Sequence, residues 1–303
     1  MSDEDQDIPF DQTPPGAAER LVRLSPKVRR IIADNPGPMT FTGTCTYVVG
    51  EGEVAVIDPG PNSPAHLAAL LESLGTERVR HILVTHTHRD HAAGAAALKA
   101  ATGADILGCA PYPAATGEDG AGTDAAHDRT YRPDTILREG DVVAGPAYTL
   151  ETLATPGHTA NHLVFALAAE RALFSGDHVM AWSTSVVIPP DGRMGDYMAS
   201  LEKLAGRADT HYWPGHGGGV ATPQRMVRAL IHHRRLREAA ILAELGKGPA
   251  HIPTLVSALY RGLDPRLVGA AGLSVLAHLQ DLSERGLVHS DGAAGRDAVY
   301  TRG

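Results

Sequence analysis

The sequence predicts an α/β fold, mixed (α+β) in its strand order, in which stacked sheets share one polar edge and a small C-terminal domain follows. Three observations predict it. Apolar β-runs recur up to about residue 220, and each closes on a Gly-rich turn that carries an ionisable residue. The stretch Thr85-His86-Thr87-His88-Arg89-Asp90-His91 lies on a strand-to-helix turn. Beyond Gly246-Lys247-Gly248-Pro249 the pattern changes to two helices and a terminal hairpin.

Residues 1–18 are rich in Asp, Gln and Pro and read as a disordered acidic tail. Between Leu21 and Ile32, basic and apolar residues alternate irregularly until the turn Asn35-Pro36-Gly37-Pro38. Cys45–Val49 and Val54–Asp58 read as strands joined at Gly50-Glu51-Gly52-Glu53. Pro64–Leu74 is an amphipathic helix with Leu67, Leu70, Leu71 and Leu74 on one face. Val79–Val84 is the strand entering the histidine stretch, and the Ala-rich 92–100 segment is the helix leaving it. A short strand at Ala104–Cys109 precedes a Gly-, Ala- and Asp-rich surface loop over 111–130.

Strand segments over Asp141–Leu153 lead into Thr155-Pro156-Gly157-His158-Thr159. Leu163–Leu167 pairs with Arg171–Ser175 and closes on Gly176-Asp177-His178; Met198–Leu204 is helical, and His211-Tyr212-Trp213 leads to Pro214-Gly215-His216-Gly217. Pro223–Leu245 reads as a long basic-faced helix. Helices near Pro253–Arg261 and Leu267–Arg285, then Leu287–Ser290 and Ala298–Thr301 about an Asp-Gly turn, outline a winged helix. The division expected is a tail (1–18), a catalytic domain (19–221), a connecting helix (222–246) and a winged-helix-like domain (247–303).

Chemistry concentrates in the histidine stretch. His86 and His88 share a face if the strand period of two persists, and Asp90 and His91 follow where the chain turns. Imidazole nitrogens with a carboxylate and no thiolate are the donor set of a catalytic zinc site or a close substitute. With 16 His in 303 residues, this frame arises by chance on the order of a few times per thousand chains. An isolated histidine is an ordinary core or surface residue far more often; nine others here, including His66, His127 and His278, have no matching partner.

Composition narrows the class. A 43% hydrophobic, 20% charged chain without an apolar run near ~20 residues is globular rather than membrane-spanning. Two cysteines, Cys45 and Cys109, argue against a disulfide framework, and the acidic N-terminus lacks a secretory signal, so a cytoplasmic location is expected. The net charge of −8 is uneven: residues 41–220 carry 11 Lys/Arg against 21 Asp/Glu, and residues 221–303 carry 11 against 7. The acidic body gives no electrostatic support for nucleic acid, and aromatics are scarce at 5%.

Asp58 at a strand end, His86-x-His88-x-Asp90-His91, Gly157-His158-Thr159, Gly176-Asp177 and Gly215-His216-Gly217 resemble, in order and spacing, the five motifs of the metallo-β-lactamase-like hydrolases. The resemblance implies an αββα sandwich with the site along one edge. It implies that His86, His88 and His158 hold one metal, that Asp90, His91 and His216 hold the other, and that Asp177 bridges them. Two divalent ions, zinc by default with manganese or iron as substitutes, would share a hydroxide that serves as nucleophile. Asp90 is then both ligand and catalytic carboxylate, and Asp58 orients the motif from behind. Asn161, His162 and His178 are the candidates for lining the substrate cleft.

A carboxylate at 177, rather than cysteine or serine, speaks against true β-lactamases. Ala258-Leu259-Tyr260-Arg261, Ala277–Leu282, Asn35–Pro38, Gly43–Tyr47 and Asp196–Leu201 resemble the β-lactamase-like protein 2 branch, with its winged-helix tail. Cys45 departs from the asparagine of that branch, and Thr87 from its bulky aromatic, which implies a different cleft floor. The branch implies a phosphodiester substrate such as single-stranded RNA, or an acyl thioester or ester. A glyoxalase II-like hydroxyacyl-thioester hydrolase is one alternative, and a regulator binding nucleic acid through the winged helix is another. Partners are accordingly a small molecule or single-stranded RNA and a second copy in a homodimer, with no membrane.

Overall fold

The computed structural model describes residues 8–113, 126–260, 262 and 265–303. The first sheet holds seven strands side by side in chain order: β1 (Val22–Arg23), β2 (Val28–Ile32), β3 (Cys45–Val49), β4 (Glu53–Ile57), β5 (Arg78–Val84), β6 (Asp105–Gly108) and β7 (Thr135–Ile136). β1 to β4 run antiparallel, then β4 to β7 parallel, with helices making the crossovers from β4 to β5 and from β5 to β6. Helix α1 (Pro64–Leu74) starts with Pro64 in its first turn and the Ser63 hydroxyl accepting from the His66 amide. Gly94 splits the segment after the histidine stretch into α2 (Arg89–Ala92) and α3 (Ala95–Thr102).

The second sheet has the order β12-β11-β10-β9-β8, from β8 (Val142–Gly145), β9 (Tyr148–Ala154), β10 (Leu163–Leu167), β11 (Ala172–Gly176) and β12 (His211–Pro214). β10 is buried on both faces and its alternation divides the work. Leu163, Phe165 and Leu167 join the core between the sheets. Val164 and Ala166 join a second core with α4 (Met194–Ala205) and α5 (Pro223–Leu245). Each aromatic buried between the sheets, Phe165 and Phe174 among them, contributes about 1.5–3 kcal/mol. With α1 and α3 on the first sheet, this is a helix-sheet-sheet-helix sandwich.

The C-terminal domain is β13 (Ala250–His251), α6 (Ile252–Leu259), α7 (Val268–Glu284), β14 (Val288–Ser290) and β15 (Val299–Arg302), with strand order β13-β15-β14. Helix α5 belongs to two cores at once. Met226 to Ile231 pack beneath the second sheet, and Ile241 and Leu245 pack inside the C-terminal domain. Ala277 of α7 reaches back into the second core, and Arg193 of the catalytic domain pairs with Glu284 at 2.8 Å.

Several expectations need correction. Within the stretch read as a disordered tail, Ile8 and Phe10 pack into the second core, Ile8 being 6% exposed, while most of residues 11–18 are exposed. Residues 1–7 lie outside the described residues. The irregular 21–32 stretch contains β1 and β2, its charged side chains being spent in pairs such as Arg29 with Glu77. α5 is not simply basic-faced. Arg234 and Arg237 are buried, their guanidinium groups set over the rings of Tyr197 and Tyr260. Most of the 111–130 loop, residues 114–125, and Arg261 lie outside the described residues.

Candidate metal centre

Two groups of side chains converge where the strand ends of both sheets meet. The first is His86, His88, His158 and Asp177; the second is Asp90, His91 and His216. His86 and His88 lie beyond the end of β5, His88 being the extended residue that starts α2. His158 follows β9, Asp177 follows β11 and His216 follows β12.

The spacing suits a cation. His88 Nδ1 is 3.0 Å from His86 Nε2 and 3.1 Å from His158 Nε2. Asp90 Oδ2, His91 Nε2 and His216 Nε2 form a triangle with every edge 3.3 Å. Tetrahedral ligands about 2.0 Å from a metal lie about 3.3 Å apart. Asp177 spans the groups, with Oδ2 3.6 Å from His158 Nε2 and 3.4 Å from His216 Nε2, and Oδ1 3.5 Å from His91 Nε2. That buried Oδ1 has no hydrogen-bond partner among the described residues, a deficit a cation would remove.

Proton bookkeeping on the outer ring nitrogens supports the fit. His158 Nδ1 donates to the Val186 carbonyl at 2.6 Å, and His216 Nδ1 to the Gly43 carbonyl at 3.3 Å. His91 Nδ1 lies 2.9 Å from Asp58 Oδ2. Thr85 Oγ1 donates to Asp58 Oδ2 at 2.8 Å and so accepts from His86 Nδ1 at 2.9 Å. Each of these four rings therefore turns a lone pair toward the centre. Asp90 is held likewise: Asn35 Nδ2 donates to Thr44 Oγ1, which donates to Asp90 Oδ2 at 2.9 Å.

Electrostatics divide the site. Burial, reinforced at His86 by His91 and at His88 by His158, holds both rings well below the usual histidine range. Burial opposes ionisation of Asp177, but His216 and His91 overcome it and hold the carboxyl well below its usual range. His216 is pushed up to about 9: burial disfavours its charge, and Asp177 and Asp90 outweigh it. Without a cation, protons fill the role the carboxylates call for.

The glycines of the motifs leave room for these contacts. A Cβ at Gly215 would lie 2.4 Å from Asp177 Oδ1 and 2.5 Å from His91 Cε1. Gly157 has a φ of +138° and backs onto Tyr197, where a Cβ would lie 2.3 Å from the Cα.

The centre opens into a cleft of about 660 Å³ whose wall includes Met39, Met180, Trp182, Val186, Ile188 and Leu273. Asn161, His162 and His178 are not part of that wall. Asn161 ties Thr87 Oγ1 to the Ala110 carbonyl, and His162 accepts from the Asp177 amide at 3.2 Å behind the centre. His178 is buried against Tyr197, and burial with nearby His158 pushes it down to about 3. Local order along the chain placed these three near the centre, but the turns aim His162 and His178 inward and leave Asn161 half-buried, tied to Thr87 and Ala110. Thr87 is also fully buried, bonded to His127, so it does not form the cleft floor.

The wall includes residues the motifs do not announce. His127 stacks on Tyr112 with centroids 3.8 Å apart and sits 4.7 Å from the His88 ring. Asp191 faces it at 3.5 Å. Asn35, Thr44 and Thr85 support the centre from behind; the Asn-Pro-Gly-Pro turn and the Gly-Thr-Cys segment were the available signals for the first two.

Comparison with known proteins agrees with this geometry. Residues 39–216 match the metallo-beta-lactamase superfamily, and residues 252–296 match the beta-lactamase associated winged helix domain. The chain is 35% identical over 231 residues to the beta-lactamase-like protein 2 homolog of Caenorhabditis elegans, covering 75% of this chain and 74% of that one. It is 29% identical over 233 residues to the atrochrysone carboxyl ACP thioesterase of Claviceps purpurea, covering 74% and 67%. A beta-lactamase domain protein from Burkholderia ambifaria has the same fold, with a TM-score of 0.79 over 100% of this chain and 99% of that one at 23% identity. The chain belongs to the metallo-β-lactamase superfamily of hydrolases and carries the winged-helix domain associated with it.

Proposed function

We propose that the protein is a two-metal hydrolase of acyl thioesters or esters. The observation that carries this reading is the apolar cleft opening directly onto the converged lone pairs, with Asp177 spanning both groups. His86, His88 and His158 would hold one divalent cation, Asp90, His91 and His216 the second, and Asp177 both. Zinc is the expected metal for this nitrogen-rich set. The cations would supply Lewis acidity and lower the pKa of a bound water into the neutral range.

The chain's own residues fix the rest. Asp58, Val186 and Gly43 hold three of the rings so that their lone pairs face inward. Asp90 lines the cleft as well as the second group, and Thr44 fixes its orientation. His91 and His216 hold it ionised against burial, the form that can ligate a cation. Met180, Trp182 and Ile188 would seat an acyl chain and exclude solvent. The relative named as an ACP thioesterase supports the thioester over the phosphodiester, as does the net charge of −8, which disfavours a polyanion.

The test is a hydrolysis panel on zinc-loaded protein: acyl thioesters, S-lactoylglutathione, bis(p-nitrophenyl) phosphate, single-stranded RNA and nitrocefin. Thioester turnover lost in Asp177→Ala, with RNA inert, is the expected result. RNA cleavage with inert thioesters would replace it with a nuclease reading.

A further inference from the structure

The winged-helix domain forms part of the cleft. Leu273 of α7 and Arg296, in the hairpin between β14 and β15, line the same cleft as His88, Asp90 and Arg89. The hairpin is held immediately before Arg296. Gln280 donates to the Ala294 carbonyl at 3.2 Å, and the Tyr300 hydroxyl donates to the Gly295 carbonyl at 2.8 Å. The Asp291 carboxylate accepts from the Val299 amide at 3.0 Å, closing its base.

Arg296 makes no hydrogen bond or ion pair among the described residues. Among the described residues Arg89 bonds through Nε alone, to the His127 carbonyl at 3.3 Å, and its terminal guanidinium nitrogens have no partner there. Two such guanidinium groups on one cleft are unexpected in a chain of net charge −8, whose other arginines repeatedly find carboxylates or carbonyls. Asp191 is the acidic wall residue outside the metal groups, and it faces His127.

We propose that Arg296 and Arg89 form an anion-binding station at the cleft, selecting substrates that carry a phosphate or carboxylate away from the scissile bond. The proposal rests on the hydrolase reading above and gives the C-terminal domain a part in specificity. Guanidinium groups suit both anions, through paired, charge-assisted hydrogen bonds. The anion could belong to the thiol half of a thioester, as the phosphate of a phosphopantetheine arm, or to its acyl half, as a carboxylate.

Non-hydrolysable thioethers separate these sources from each other and from catalysis. Calorimetric titration of zinc-loaded protein would compare S-hexylpantetheine, S-hexyl-coenzyme A and S-(5-carboxypentyl)pantetheine. The expected result is about tenfold tighter binding of at least one anionic ligand over the neutral one. In Arg296→Ala and Arg89→Ala that ratio falls toward one, and in Arg296→Lys it is retained in part. Metal content and thermal midpoint, unchanged from wild type, exclude misfolding as the cause. Preference for the coenzyme A ligand alone places the anion on the thiol half; preference for the carboxylate alone places it on the acyl half. Wild-type protein without preference overturns the proposal, as does a ratio that survives Arg296→Ala. A preference that depends on Arg296 in a protein hydrolysing no thioester leaves the station standing and removes the thioester reading.

Discussion

Asp58 Oδ2 lies 2.9 Å from His91 Nδ1, and the same carboxylate accepts from the amide and hydroxyl of Thr85. One buried side chain thus orients a ring of the second metal group and the loop that delivers His86 of the first. Asp58 sits at a φ of +50°, a conformation that asparagine tolerates and alanine does not. Asp58→Asn should keep the turn while weakening the pull on the His91 proton. Metal affinity is expected to fall about 10–100-fold, read by chelator competition. Unchanged affinity would show that His91 is oriented by packing alone.

Gly215→Ala tests the closeness of the two groups. The added methyl would sit 2.4 Å from Asp177 Oδ1 and 2.5 Å from the His91 ring. Neither neighbour can retreat, since Asp177 and His91 are both buried in the centre. The expected variant folds but binds fewer than two metal equivalents and loses at least 100-fold in turnover. Full metal content by elemental analysis would contradict this.

Metal-free protein should lose stability with rising pH. His216 is held at about 9 in the folded chain, against about 6.5 when unfolded. Below 6.5 both states carry the proton and the attraction to Asp177 and Asp90 is fully present. As pH rises through about 9 the folded ring is neutralised and that contribution, on the order of a few kcal/mol, disappears. A bound divalent cation would replace the proton, so protein loaded with zinc should lack this fall, and zinc uptake near pH 7 should release protons. Denaturation midpoints from pH 6 to 10, with and without zinc, decide it; parallel curves would refute the exchange.

The order of the motifs was legible because His158, Asp177 and His216 each follow a strand beside a glycine and the other four ligands follow β5 in one short run, a pattern that survives in one dimension. The two sheets and the C-terminal hairpin follow from period-two runs and turn residues in the same way. What lies behind the centre was not legible. Asn35 and Thr44 reach Asp90 only because β3 is bonded to the His216 loop, as in the Cys45 amide donating to the Gly215 carbonyl. His162 and His178 adjoin motif residues in sequence, yet a turn sends both rings into the core. The N-terminal strands escaped notice because arginines interrupt their apolar pattern, although Val28, Ile31 and Ile32 of β2 are buried in the core between the sheets.

The N-terminal segment should act on the cleft without touching the metal groups. Ile8 is buried in the second core. The Asp11 amide donates to the Ala181 carbonyl at 2.9 Å, and Gln12 Nε2 donates to the Trp182 carbonyl at 3.3 Å. Met180 and Trp182 flank that contact and line the cleft, and Trp182 is braced from the other side by Phe41, stacked at 5.0 Å. Removing residues 1–13 exposes the pocket of Ile8, at about 1.5–3 kcal/mol, and frees one side of the cleft wall. KM for the best substrate should rise severalfold with kcat and metal content little changed, since His158, Asp177 and His216 are anchored elsewhere. The single change Ile8→Ala should reproduce the loss of stability with a smaller effect on KM, because the Asp11 amide and Gln12 side-chain contacts to the Ala181 and Trp182 carbonyls remain. If truncation lowers kcat and KM stays constant, the segment supports the catalytic geometry rather than the substrate wall.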